Sequence, residues 1–182
     1  MTDDIVWKET LILTSSCLRN LYASGHIESL LASLPSIAVC DGSISVDEKY
    51  YIYAELDGDI LQKKEAINIQ PLIDKKLLRI VSTDYPVMQM AAYIASLGVI
   101  DDGETIPCAI ALRYDWMLVT DDSYTIDLLT QYMPQITYLT TIDIFKYWAD
   151  ICCHTTEVIE HAIRIMHKRA LYTPSVKHRW YS

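Results

Sequence analysis

The chain has 182 residues and a formal net charge of −9; 51% of its residues are hydrophobic and 21% are charged. These proportions exclude an intrinsically disordered chain and are typical of one folded domain, whose core is large enough to need no disulfide or metal cross-link. Affinity for nucleic acid comes largely from Lys and Arg, so a protein this acidic repels polyphosphate in general. Binding of a nucleic-acid substrate would require a basic segment or a metal ion.

Short apolar segments alternate with longer segments of helical spacing along the chain. The short segments are predicted to form strands buried on both faces: Leu11–Leu13, Ile37–Val39, Leu78–Val81, Met117–Val119 and Ile136–Leu139. The longer segments are predicted to form helices: Cys17–Ala23, Ile27–Leu34, Ser45–Leu56, Tyr85–Leu97, Ile106–Tyr114 and Ser123–Gln131. Since crossovers of this length join parallel strands, the alternation predicts a mostly parallel five-stranded sheet with helices on both faces, a three-layer α/β/α sandwich.

Short side chains that carry oxygen mark the starts of several predicted helices. Ser16, Ser43 and Asp122 each follow a predicted strand or turn, and each is predicted to cap the helix that comes after it. Asp102 precedes Gly103–Glu104 in the same way and is predicted to cap the helix that follows them.

The last part of the chain is predicted to be helical. Beyond the fifth strand, Thr140 opens a segment that runs with helical spacing to about Tyr172, and Pro174 marks its end. We therefore expect an α/β domain over residues 1–145 and a helical extension, packed on it or flanking it, over residues 146–182.

The cysteines and the apolar segments indicate the compartment. The five cysteines are an odd number and form no paired framework, which is typical of reduced thiols in the cytoplasm. The N-terminus shows no signal peptide, and the longest nearly apolar window, Val87 to Ile100, is too short to span a bilayer. We expect a cytoplasmic protein with no membrane partner.

Carboxylates follow the predicted strands at one edge of the sheet. Asp47 and Glu48 lie early in the helix after the second strand, Glu104 opens a later helix, and Asp121 and Asp122 follow the fourth strand. Clustered carboxylates raise each other's pKa values, and Mg²⁺ or Mn²⁺, which prefer oxygen ligands, relieve that repulsion. Such an ion can activate water for phosphodiester cleavage. Taken singly, each of these acids is better explained as a helix cap than as a metal ligand.

Two segments, "DDGETIPCAIALRYDWMLVTDD" and "LILTSSCLRNLYASG", resemble the PIN-domain family in the order of their motifs. "DDGETIPCAIALRYDWMLVTDD" has the family's order: a Gly-Glu pair at Gly103–Glu104, a helix of the Ala-x-x-Leu-Ala kind, and a strand that ends in Thr-x-Asp at Thr120–Asp122. "LILTSSCLRNLYASG" resembles the family's opening, where the first strand ends in Asp-x-Ser and a helix rich in Leu and Asn follows. The likeness covers roughly residues 9–145.

The resemblance implies a metal-dependent endoribonuclease, often the toxin of a bacterial toxin–antitoxin pair. Carried over by position, Glu104 and Asp122 are catalytic, metal-binding acids, and Asp121 is an adjacent metal ligand. Glu48 is the catalytic, metal-binding acid from the second helix, with Asp47 as its competitor. The implied cofactor is Mg²⁺ or Mn²⁺, and the implied partners are RNA, an antitoxin-like protein and a second copy in a homodimer.

The chain departs from the family at Thr14. The family's first acid is a carboxylate at this position, and a neutral hydroxyl cannot replace its charge, although Thr14 and Ser16 could line the site and hydrogen-bond a metal-bound water. Since Mg²⁺ affinity follows the charge of the ligands, the site should be weakened. Asp41 is an alternative source of the missing charge, and its ordinary role is that of a turn residue.

Three functions remain open from the sequence. The first is a PIN-like endoribonuclease with a weakened acidic site. The second is a catalytically degenerate PIN-like domain that acts as an RNA- or protein-binding module. The third is a structural subunit that assembles through its C-terminal helices.

The C-terminal segment carries two further signals. Arg164, Lys168 and Arg169 are candidate nucleic-acid-binding residues, with a solvated helix face as the plainer interpretation. Cys152–His154 and His161 suggest a transition-metal site on one helix face, but adjacent cysteines do not easily share one ion, and a packed or solvated helix is the favoured interpretation.

Overall fold

A computed structural model describes residues 7–41, 51–56, 59–98 and 100–174. The elements are, in chain order, β1 (Thr10–Leu13), α1 (Ser15–Ala23), α2 (Ile27–Ser33), β2 (Ser36–Cys40), β3 (Tyr51–Leu56), β4 (Asp59–Ala66), α3 (Gln70–Asp74), β5 (Arg79–Val81), α4 (Tyr85–Leu97), α5 (Asp102–Tyr114), β6 (Met117–Val119), α6 (Ser123–Tyr132), β7 (Tyr138–Leu139), α7 (Thr141–Cys152) and α8 (Thr156–Ala170).

Five of the strands form one sheet in the order β5-β2-β1-β6-β7, and every neighbouring pair is parallel. The predicted three-layer sandwich with a five-stranded parallel sheet is confirmed. The chain builds β1, β2 and β5 outward in one direction and then returns to add β6 and β7 on the other side of β1. Where the direction of an open α/β sheet reverses in this way, a crevice forms at the carboxyl ends of the strands, here those of β1 and β6.

The central strand β1 is buried on both faces, as predicted. Leu11 and Leu13 face a core covered by α1, α2, α7 and α8, whereas Ile12 faces a second core covered by α4, α5 and α6. Burial of each such side chain contributes about 1.5–3 kcal/mol. A one-residue slip would exchange the two faces, so packing holds the register of β1 and, with it, the position of Thr14.

The prediction that all five strands are buried on both faces is wrong at the edges of the sheet. On β5, Arg79 is exposed and Ile80 is 46% exposed. On β7, Tyr138 is exposed. These strands are the outermost of the sheet, so each lacks a neighbour and a covering helix on part of its surface.

The predicted helix Ser45–Leu56 is wrong over residues 51–56, which form β3 and pair in antiparallel register with β4. Tyr51 and Tyr53 alternate with Ile52, which is fully buried in the core beneath α1 and α8. Alternation of this kind has the period of a strand, and aromatic and β-branched residues suit the pleated surface of a hairpin. The remainder of that prediction, residues 45–50, lies outside the described residues, as does Ser43.

The structure describes three of the four predicted helix caps, and two of these three predictions are wrong. Asp122 caps α6, since its carboxylate accepts a hydrogen bond from the backbone N–H of Thr125. Helix α1 begins earlier than predicted and its cap is Thr14 rather than Ser16. Helix α5 also begins earlier, and Asp101 caps it instead of Asp102.

The predicted helical C-terminal part consists of α7 and α8, with Thr140 in a capping box at the start of α7. Residue 145 lies inside α7, and Trp148 and Ile163 belong to the same core as Leu11. In the described part of the chain, no helix combines the length and apolar character that crossing a membrane requires.

Candidate functional site

The candidate site lies at the carboxyl ends of β1 and β6, where the order of the sheet reverses. Thr14 follows β1 and Thr120 follows β6; both side chains are fully buried. The backbone N–H of Thr14 donates to the carbonyl of Val119 at 3.1 Å, which holds the two strand ends side by side. Glu104, in the first turns of α5, reaches this edge from the layer of helices.

The carboxylate of Glu104 is surrounded by hydroxyl groups. Ser16 Oγ donates to Oε1 at 3.1 Å and Thr120 Oγ1 donates to Oε2 at 2.6 Å. Thr14 Oγ1 lies 3.0 Å from Ser16 Oγ, so it supports the first of these donors. Only 8% of Glu104 is exposed. The three hydroxyls therefore replace the water that would otherwise solvate this acid.

The pKa of Glu104 is raised from its usual value to about 7. Burial is the main cause, because loss of hydration penalises the charged form, and the negative charge of Asp122 acts in the same direction. Hydrogen bonds from Thr120 and Ser16 lower the pKa but do not offset burial. At neutral pH this acid is consequently divided between its charged and neutral forms.

Asp122 belongs to the same group of residues. Its backbone N–H donates to Thr120 Oγ1 at 3.1 Å, and its Oδ2 accepts from the backbone N–H of Thr125 at 2.6 Å. Thr120 thus links both acids, because its hydroxyl donates to Glu104 and accepts from Asp122. The structure brings together Thr14, Ser16, Glu104 and Asp122, all of which the sequence predicted as site residues.

Asp121, although adjacent in sequence, serves another part of the fold. Its carboxylate accepts from Cys17 Sγ at 3.3 Å, from Asn20 Nδ2 at 2.9 Å, and from the backbone N–H of Thr141 at 2.8 Å. The hydroxyl of Thr141 donates to it as well. Asp121 joins the end of β6 to α1 and α7. Its hydrogen bonds go to those helices and not to the hydroxyl-bearing residues around Glu104.

Of the other predicted acids, the structure describes Asp41, whose carboxylate bonds to Thr83. Asp47 and Glu48 lie outside the described residues. Asp41 follows β2 at the predicted edge, but its carboxylate accepts from the backbone N–H of Thr83 at 3.1 Å and from the Thr83 hydroxyl at 2.6 Å. Asp41 thereby holds together the loops that follow β2 and β5, which is the turn role that the sequence also suggested.

The residues that the structure describes bring two carboxylates, those of Glu104 and Asp122, to this edge of the sheet, and the other predicted metal ligands Glu48 and Asp47 lie outside the described residues. In residues 7–41, 51–56, 59–98 and 100–174, no three His, Cys, Asp or Glu side chains are grouped so as to hold a metal ion. Glu104 is half neutral near pH 7, and both of its oxygens accept hydrogen bonds from hydroxyls. An ion that binds here would share the Glu104 oxygens with those donors and would find Asp122 as its only other described carboxylate within the group.

One of the three predicted basic residues, Arg169, is engaged within the fold. Arg169 donates to the carbonyl oxygens of Tyr53 at 3.2 Å and Ala23 at 3.4 Å, and it pairs with Glu65 at 2.9 Å. Arg164 lies 3.9 Å from Glu160 on the same helix, and Lys168 is in the last turn of α8.

The suggested Cys–His metal site is not formed. His154 precedes α8, which begins at Thr156, so His154 and His161 do not share a helix face. The His154 ring instead packs against Trp148, with 4.1 Å between the ring centroids.

Sequence reasoning missed the part that Thr120 plays. Its hydroxyl makes the shorter of the two bonds to Glu104 and connects that acid to Asp122. The signal was available, because Thr120 is the threonine of the Thr-x-Asp pattern, but the pattern was used only for its acids.

Comparisons with protein-family models and with curated proteins give no match to this chain. The interpretation of the site therefore depends on its own geometry and on the resemblance of its motifs.

Proposed function

We propose that this chain is a PIN-like domain whose nuclease site is closed by hydroxyl groups, and that it acts as a protein-binding module. The observation that carries this proposal is the position of Thr14. It is fully buried at the end of the central strand, where the resemblance implies the first metal-binding acid, and it supports the hydroxyl that donates to Glu104.

The chemistry of the hydroxyls supports loss of catalysis. A cation at such a site is held by the charges of several carboxylates, and its affinity falls when one is replaced by a neutral group. Here Ser16 and Thr120 supply the donors that a buried carboxylate needs, so Glu104 is satisfied without an ion. These hydrogen bonds hold together the residues at the ends of β1 and β6. The hydroxyl groups are neutral, so they add no negative charge with which to hold a metal ion.

The charge distribution supports a protein partner over RNA. The net charge is −9, and Arg169, one of the three candidate contacts to RNA, is bonded to the hairpin and to α1. RNA binding requires Lys and Arg side chains that are free to neutralise phosphates and thereby to release the counterions condensed on the nucleic acid. The cytoplasmic location is part of the same proposal, since all five cysteines are free thiols.

A second candidate is a weak endoribonuclease that depends on Mg²⁺ or Mn²⁺, as in the toxin of a toxin–antitoxin pair. It is favoured by one observation: Glu104 is an acid kept at a buried position where its charged form is costly. In this alternative Glu104 and Asp122 would be joined by Glu48 or Asp47.

The two functions are separated by Mn²⁺ calorimetry and RNA cleavage on wild type, Thr14→Asp and Asp122→Asn. The asparagine keeps the cap of α6 while it removes the charge, because Asn and Asp cap helices about equally well. We expect no Mn²⁺ binding and no cleavage by wild type, and a gain of Mn²⁺ binding in Thr14→Asp but not in the neutral control Thr14→Asn. Cleavage by wild type that requires Mn²⁺ and disappears in Asp122→Asn would instead establish the nuclease.

A further inference from the structure

The outer face of the β3–β4 hairpin carries two tyrosines and a lysine. Tyr51 and Tyr53 are two residues apart on β3, so both lie on the face opposite to the fully buried Ile52. Their rings meet edge to face, with 5.6 Å between the ring centroids. Lys64 stands opposite Tyr53 in the register of the hairpin, and its Nζ lies 3.9 Å from the centroid of the Tyr51 ring. This face therefore places an ammonium group beside two phenol side chains.

Arg19 brings a second positive charge to the hairpin from α1. Helix α1 lies against β3, and the charge of Arg19 acts on the hydroxyls of both Tyr51 and Tyr53. Arg19 Nε is buried and has no hydrogen-bond partner. Buried donors in native proteins are nearly always paired, so an unpaired one calls for an explanation. We call Arg19, Tyr51, Tyr53 and Lys64 the hairpin patch.

No carboxylate in the described part of the chain balances the two cations of the hairpin patch. The ion pairs formed there include neither Arg19 nor Lys64, whereas Arg169, which also contacts the hairpin, is paired with Glu65. At physiological ionic strength, charges more than about 8 Å away are largely screened. The two unbalanced cations, rather than the net charge of −9, therefore decide which ligands the hairpin patch attracts.

The pKa of Tyr51 indicates that negative charge is favoured at the hairpin patch. This pKa is lowered from its usual value, first by the hydrogen bond from Tyr53, then by the hydrogen bond from Lys64, and further by the charges of Lys64 and Arg19. The pKa of Tyr53 is raised, chiefly because its hydroxyl is hydrogen-bonded to Tyr51. The same donors and charges would stabilise an anion that binds beside the Tyr51 hydroxyl.

The donors of the hairpin patch match the phosphate group of a phosphomonoester. Such a group carries a charge of about −1.5 to −2 at neutral pH and has three strong acceptor oxygens. Arg19 and Lys64 supply two positive charges, and the tyrosines supply hydroxyl donors. Guanidinium and ammonium groups form short, strong hydrogen bonds with phosphate. A single carboxylate has half the charge and fewer acceptor oxygens.

An RNA strand fits the hairpin patch less well than a phosphomonoester. Each internal phosphate of RNA carries one charge, and the affinity of RNA-binding proteins comes from many phosphate contacts made together. The hairpin patch supplies only two cations. Lys64 also occupies one face of the Tyr51 ring, where a base would otherwise stack.

We propose that the hairpin patch is a binding site for the dianionic phosphate group of a small phosphomonoester. This inference does not depend on the proposed function, because no residue of the hairpin patch takes part in the hydrogen bonds around Glu104.

The first test is NMR titration of the full chain with methyl phosphate, a phosphomonoester, and with dimethyl phosphate, which carries a single charge. The ring resonances of Tyr51 and Tyr53 are assigned with Tyr51→Phe and Tyr53→Phe. We expect both resonances to shift with methyl phosphate at a dissociation constant of about 1 mM, and dimethyl phosphate to bind at least about tenfold more weakly. A wild-type protein whose Tyr51 and Tyr53 resonances do not respond to methyl phosphate, or respond equally to both esters, would overturn the proposal.

Two double variants with the same loss of charge show whether the cations of the hairpin patch are responsible. Arg19→Gln/Lys64→Gln removes both of them, whereas Lys75→Gln/Arg164→Gln removes two exposed cations elsewhere and is the matched control. We expect the first variant to lose at least about tenfold in affinity for methyl phosphate and the control to change less than about twofold, with equal melting temperatures. Equal losses in the two variants would refute the site.

The last test uses pH to count the charges that the hairpin patch recognises. The second proton of a phosphomonoester leaves near pH 6, whereas inorganic sulfate is a dianion throughout this range. We expect the affinity for methyl phosphate to rise about tenfold between pH 5 and pH 7.5, and the affinity for sulfate to stay constant. Equal pH profiles for the two ligands would contradict recognition of a dianion. Single-stranded RNA without a terminal phosphate that binds more tightly than methyl phosphate, and is lost in Arg19→Gln/Lys64→Gln, would make the hairpin patch an RNA contact instead.

Discussion

Thr14 has several structural roles in a position that the resemblance assigns to a catalytic acid. Its backbone N–H is bonded to β6, its side chain caps α1, and its hydroxyl contacts Ser16 beside Glu104. A carboxylate here would stand beside Glu104 and Asp122 and would raise the free energy of the folded state unless a cation balanced it. Threonine supplies the hydroxyl that contacts Ser16, and it carries no charge.

The raised pKa of Glu104 predicts that stability depends on pH. Between its usual pKa and about 7, the folded protein retains a proton that the unfolded chain has lost, so the free energy of unfolding should fall as pH rises through this interval. The free energy of unfolding should fall by about 3 kcal/mol at most and should change little above pH 7. Urea unfolding at a series of pH values measures it.

The matched variants for this prediction are Glu104→Gln and Glu160→Gln. The first removes the titrating carboxyl and should abolish most of the slope between pH 5 and pH 7, whereas the second changes an exposed glutamate of α8 and should retain it. A Glu104→Gln protein with the wild-type slope would show that another group is responsible.

At the scale of elements, the β3–β4 hairpin is attached to the rest of the fold by its buried face and by Arg169. Ile52 enters the core, and Arg169 bonds to the carbonyl of Tyr53, the carbonyl of Ala23 and the carboxylate of Glu65. One side chain of α8 thus connects the hairpin with the end of α1. An isolated two-stranded hairpin is marginally stable in water, so these attachments are needed.

Replacement of Arg169 by Ala should therefore loosen the hairpin. We expect a loss of about 2 kcal/mol in unfolding free energy, because charged hydrogen bonds to partly buried partners are removed, together with faster amide exchange in β3 and β4. Arg164→Ala is the control, since its single distant ion pair should contribute less than about 0.5 kcal/mol. Equal effects of the two substitutions would contradict this role.

At the scale of the whole molecule, the net charge of −9 sets what the surface can attract. The sequence left the C-terminal basic residues as a candidate RNA contact, and the structure commits Arg169 to internal bonds. A protein partner that binds through shape and apolar contact suits this surface better than a polyanion.

The whole-molecule prediction concerns RNA affinity. Fluorescence anisotropy with labelled single-stranded RNA should give a dissociation constant weaker than about 100 µM at physiological salt, the weak end of ordinary non-specific binding. The variant Arg164→Glu/Lys168→Glu should behave like wild type. Tight binding by wild type that falls steeply with salt, and that the double variant loses, would favour the nuclease alternative.

The layers of the fold and four members of the residue group around Glu104 could be predicted from the sequence alone. Apolar runs such as Leu11–Leu13 must be buried on both faces, and their alternation with amphipathic segments leaves few arrangements other than a parallel sheet between helices. The position of Asp122 follows from that sheet, because residues after parallel strands share an edge, whereas Glu104 reaches the same edge from the first turn of α5. The hairpin at β3 was missed because its period-2 alternation is short and follows a segment of helical spacing.

Which of these acids belong together depends on contacts between elements that are far apart in the chain. Asp121 and Asp122 are neighbours in sequence, yet one bonds to α1 and α7 and the other joins Thr120 and Glu104. The burial of Glu104 and its three hydroxyl neighbours likewise depends on strands and helices far apart in the chain. Hydrogen bonds and desolvation act over a few ångströms in space, and sequence distance does not measure that separation.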